Sequence, residues 1–142
     1  MLSLSLARQL KKAGLQWDPQ LLDVFAIPDR QLDERRFVLT DVMAYIEIFR
    51  GSPMVTFHGS AEWALDFVQQ TEAVWIPTES QLRECIQQYG SELVLRQTAS
   101  GYECGLAYAG ETMVFGGDGA CDAYGAALLQ LLWRQDANPD MN

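Results

Sequence analysis

The stretch ELVLRQTASGYECGLAYAGETMVFG, Glu92–Gly116, decides the fold class. It breaks into three runs, ELVLRQT, YECGLAYA and ETMVFG, joined by ASG and by AG, whose Ala109 also ends the second run. Both joints are of hairpin length. On the middle run Tyr102, Cys104, Leu106 and Tyr108 fall on one face, and Glu103, Gly105 and Ala107 on the other. Side chains alternate across a strand, so this pattern predicts an antiparallel meander with one buried face.

The meander needs cover, and its flanks supply helices. Upstream, Thr78 and Gln81 make a capping-box match. The helix they open carries Leu82, Cys85, Ile86 and Tyr89 at i, i+3, i+4 and i+7, and Gly90 ends it. Glu79 and Arg83 sit four residues apart on its surface and form an expected ion pair. Downstream, a helix is expected from about Ala120 to Arg134. Near the start of the chain, Ser3–Ala13 reads as a helix with Leu6 and Leu10 on one face. Gly14 supplies a left-handed stop, and Leu15 folds back on Leu10. A fourth helix is expected from Ser60 through Gln70, with Trp63, Ala64, Phe67 and Val68 as its apolar stripe. Between these, VFAIP, RFVLT, AYIEIF, MVTFH and AVWIP read as extended segments. The fold class expected is α+β: a largely antiparallel sheet with about four helices in a single compact layer-packed domain over residues 1–134. A polar tail is expected over 135–142.

Composition narrows the function classes. The 142 residues carry a formal net charge of −9, with Lys11 and Lys12 as the only lysines. No basic face is visible to displace counterions, so neither nucleic acid nor anionic lipid is an expected partner. No apolar run reaches membrane-spanning length, and the charges of MLSLSLARQLKK follow its apolar residues, the wrong order for a secretory signal. A cytoplasmic location is expected. Three cysteines (Cys85, Cys104, Cys121) at wide spacings and a single histidine, His58, predict no zinc site. No cofactor is expected.

FGGDGACDAYG, Phe115–Gly125, resembles a dinucleotide fingerprint at a strand-to-helix junction. Gly117 and Gly119 supply the first two glycines, but Asp122 stands at the third, and no ribose-binding acid follows on a later strand. The phosphate-loop pattern G-x-x-x-x-G-K-[ST] is absent from the chain. These glycines are therefore expected to end a strand, with Asp118 capping the helix. His58 and Ser60 lie close together in FHGSAEW, but no G-x-S-x-G elbow is present, and Ser60 is needed as a cap. A small hydrolase centred on that pair is the third-ranked function.

The last helix is apolar on more than one side. Ala123, Tyr124, Ala127, Leu128, Leu131 and Leu132 form one face, and Ala126, Leu129 and Trp133 a second stripe. Such a helix is sandwiched or lies in an interface. The N-terminal helix is the expected cover for Leu129, and Trp133 the expected contact surface. Ala126, Leu129 and Trp133 are therefore the candidate interface residues, and a homodimer is a candidate assembly.

The stretches LARQLKKAGLQWDP, GSAEWALD, WIPTESQLRECI and AYGAALLQLL, in this order, resemble a family of small bacterial proteins, some labelled "pilus assembly protein". The resemblance implies a single-domain bacterial protein. It brings no ATPase motif and no catalytic residue. The expected function is a non-catalytic interaction or adaptor module. An acidic inhibitor or immunity-type protein that docks on a basic partner is the alternative.

Overall fold

The computed structural model describes residues 1–28, 35–40, 44–49, 51–57 and 67–137; for 44–49, 54–57, 67–70 and 137 it describes the backbone alone. The class is α+β, with antiparallel sheets. The chain divides into two compact units: Met1–Gln16 with Pro77–Asn142, and Trp17–Ile76.

The first unit holds all three helices found among the described residues: α1 (Leu4–Lys12), α2 (Glu79–Gln87) and α3 (Ala120–Ala137). It also holds one sheet, in the order β7-β8-β9, from Glu92–Thr98, Gly101–Tyr108 and Glu111–Gly117. Each hairpin turns through two residues, since Thr98 pairs with Gly101 and Tyr108 with Glu111. In the second turn Ala109 and Gly110 both have positive φ, 52° and 81°. That twist matches the twist of the flanking strands. Cys104 and Leu106 are fully buried on the inner face, as the alternation requires. α3 packs on β8 and β9, and α2 and α1 pack on α3.

Local chemistry fixes the helix ends. Ser3 caps α1 by accepting from Leu6 N. At its other end Gly14 N donates to Lys11 O and Leu15 N to Leu10 O, the paired bonds of a Schellman motif, with Gly14 at φ +106°. Thr78 and Gln81 close the capping box in both directions, at 2.9 and 3.2 Å. Leu82 and Ile86 of α2 are fully buried. α3 continues three residues beyond Arg134. In that added turn Gln135 accepts a hydrogen bond from the Tyr89 hydroxyl at 3.0 Å.

The second unit carries two three-stranded antiparallel sheets, β2-β1-β6 and β3-β4-β5. β1 is Val24–Ala26, β2 Phe37–Val38 and β6 Val74–Ile76; Pro28 follows β1 and Pro77 follows β6. Trp17, Phe25 and Phe37 stack at centroid distances of 5.6 and 5.5 Å. The buried carboxylate of Asp23 accepts from the Trp17 indole and from Gln20 N, each at 2.9 Å. One largely antiparallel sheet is the expectation from the sequence; three antiparallel sheets are found among the described residues.

The expected fourth helix is also corrected. Phe67–Gln69 form strand β5, paired with β4 (Ser52–Phe57), whose partner on its other side is β3 (Ala44–Phe49). A 3-10 turn, Gln70–Glu72, follows. Phe67 and Val68 read as a helical stripe, yet aromatic and β-branched residues also suit a strand, and pairing with β4 decides between the two. The start of that helix, from Ser60, lies outside the described residues.

Candidate interaction surface

The glycine junction has a packing explanation. β9 ends at Gly117, and α3 begins two residues after Asp118. A Cβ built on Gly117 would lie 2.7 Å from Ala123 N and 3.0 Å from two atoms of Asp122, all in the first turn of α3. Only a residue without a side chain lets strand and helix come this close. Gly101, opposite the same strand end, has φ +149°, and its Cβ would meet Gly117 O at 2.5 Å. The expected cap is corrected. Gly119 O accepts from Ala123 N at 3.2 Å, so Gly119, not Asp118, holds the cap position. Asp122 sits in the first turn, where its charge suits the helix dipole, and its Oδ1 accepts from Ser3 N at 2.9 Å. One carboxylate thus ties the starts of α1 and α3 together and puts a negative charge at the junction.

The thiols are those of packed side chains. Burial pushes Cys104 up to about 11. Burial, then the charge of Glu84, raises Cys85. All three cysteines are free. No three metal-ligating side chains gather among the described residues. Tyr124 is buried on α3; burial raises its pKa, and a hydrogen bond from Arg83 opposes that. His58 and Ser60 lie outside the described residues.

The residues of the second stripe on α3 have different surroundings. Leu129 is buried, at 5% exposure, Ala126 is half-buried, and Trp133 is 52% exposed. α1 crosses α3 at Gly125, where a Cβ would stand 2.7 Å from Leu6 Cδ2 and 2.8 Å from Leu2 Cδ1. No helix among the described residues is long and apolar enough to cross a membrane.

The outward face of the meander is the surface that stands out. Val94, Gly105 and Val114 lie directly opposite one another across β7, β8 and β9. The two valines are 63% and 59% exposed. Gly105 has an ordinary φ, and a Cβ there would meet nothing nearer than Val94 O at 3.8 Å. The fold therefore tolerates a side chain at this position, and its absence leaves a shallow trough between two valines. Glu92 and Arg96 flank Val94 on the same face of β7, and Glu103 stands opposite Arg96. Arg96 makes no ion pair among the described residues. On the inner side of β7 an open groove of about 490 Å3 runs beside α2, its lining including Arg83, Ile86, Gln87 and Leu93.

The alternation along YECGLAYA assigns Gly105 to the outward face, yet nothing in the sequence singled out the two valines. Their exposure depends on what packs over the sheet, and the nearest signal was a glycine in mid-strand without a bulge. No family model, no curated protein and no solved structure matches the chain.

Proposed function

We propose that this protein is a non-catalytic protein-interaction module that engages its partner through the meander's outward face. The observation that carries the reading is the exposed Val94–Gly105–Val114 row. The two exposed valines flank a shallow trough at Gly105, an apolar strip that a partner side chain can fill. The Cys104 thiol is buried and its pKa raised, which argues against a reactive nucleophile at that position.

A photoreactive amino acid placed at Val114 tests the reading in cells, with the same residue at exposed Gln88, which caps the end of α2, as control. The expected result is a discrete protein adduct from position 114 and none from 88. Equal labelling from both positions would remove the outward face as an interaction surface. Turnover of an ester, phosphate-ester or peptide substrate that disappears in His58→Ala would overturn the non-catalytic half of the proposal.

A further inference from the structure

We infer that β7 is a self-pairing edge: two copies of this chain join antiparallel along Glu92–Thr98, with Val94 opposite Val94. The inference rests on the interaction-module reading and adds a second copy of the chain, paired at the sheet edge beside that face.

β7 is an edge strand, paired among the described residues with β8 alone. Half the backbone donors and acceptors of such a strand point away from its sheet, and a second strand can take them up. The outward side chains of β7 read Glu92, Val94, Arg96: negative, neutral, positive. Antiparallel pairing about Val94 reverses that order in the second copy. Glu92 of each copy then stands opposite Arg96 of the other, twice by symmetry. A two-fold interface requires a patch complementary to itself, and this triad is one.

Arg96 is free of any ion pair among the described residues, so a second carboxylate displaces no existing partner. β9, the other edge, offers Thr112, Val114 and Gly116 at the corresponding positions and has no charge pattern to fix a register. Arg134 of α3 also pairs with Glu111 at the start of β9.

The inner side agrees. Leu93 and Leu95 are only half-buried in the single chain. Pairing about Val94 sets Leu95 of the second copy beside Leu93, at the open groove that Ile86 and Leu93 help to line. Outside, the valine rows join into one continuous row across six strands. One short edge is a small interface, so the dimer is a weak one.

Sedimentation equilibrium across a concentration series tests the pairing, with four proteins at exposed positions that leave the core intact. Wild type should dimerise. Arg96→Glu and Glu92→Arg each place like charges at both contacts, and each should weaken dimerisation about tenfold or more. An equimolar mixture of the two should form heterodimers as tight as wild type. The double variant Glu92→Arg/Arg96→Glu restores the pattern in reverse and should return to within about threefold of wild type. A wild type monomeric to about 1 mM overturns the inference, as does a dimer indifferent to both reversals or a mixture no tighter than its components. If the wild type is monomeric while Val114 still yields a discrete adduct with another protein, self-pairing falls and the interaction module stands.

Discussion

Gly117→Ala separates a packing glycine from a ligand-cradling one. The new Cβ would sit 2.7 Å from Ala123 N and 3.0 Å from the carbonyl carbon and Cβ of Asp122. Two of these three are backbone atoms, so no rotamer change clears the site. The strand cannot retreat easily, because Gly117 is paired with Tyr102 in the meander. α3 cannot tilt freely, because Asp122 is tied to Ser3 N. Overpacking of this kind costs about 1–3 kcal/mol. Gly105→Ala is the internal control, on the same sheet but with 3.8 Å to its nearest neighbour and no left-handed φ. Alanine there restricts the unfolded chain and should stabilise by about 0.4–1 kcal/mol. The two variants should therefore move in opposite directions. With a slope of about 2 kcal/mol per molar, a 2 kcal/mol loss shifts a urea midpoint by about 1 M. Circular dichroism reads the transition, and hydrogen exchange of β8 and α3 amides assigns it to the first unit. Gly117→Ala as stable as wild type would refute the close-approach argument, and a destabilised Gly105→Ala would show that the trough is structural.

Other expectations concern the core and its titration. Leu82→Ala and Ile86→Ala, both at fully buried positions, should each cost about 2–5 kcal/mol in urea melts. Leu129→Ala should lose a similar amount, because Leu129 is buried, whereas Trp133→Ala, at a half-exposed position, should cost less than about 1 kcal/mol. The Cys104 thiol is raised by burial from 9.0 to about 11, so the unfolded chain gives up that proton first. Its contribution is complete below about pH 9 and is lost as pH rises toward about 11. Urea melts at pH 7.5, 9 and 10.5 should therefore fall less steeply for Cys104→Ala than for wild type, and parallel curves would contradict the burial argument.

What the sequence by itself determined is what neighbouring residues settle among themselves. The capping box of Thr78 and Gln81 spans three residues, and the Schellman stop joins Leu10 to Leu15. The hairpin positions and the alternation that buries Cys104 and Leu106 are also local, although the first joint, read as ASG, gives Gly101 to β8. In each case the partners lie within a turn or a strand pair, so spacing alone carries the signal. Tertiary structure decided the rest, because the deciding partner is remote along the chain. Phe67 and Val68 suit a helix or a strand until β4 offers its backbone. The need for glycine at 117 comes from the first turn of α3, and Asp122 finds its donor at Ser3, 119 residues away. The pattern Glu92-x-Val94-x-Arg96 is plain in the sequence, but a charge triad on a central strand and one on an edge read alike. Only the order β7-β8-β9 makes that strand an edge among the described residues, because a strand's neighbours are set by the packing of the whole sheet.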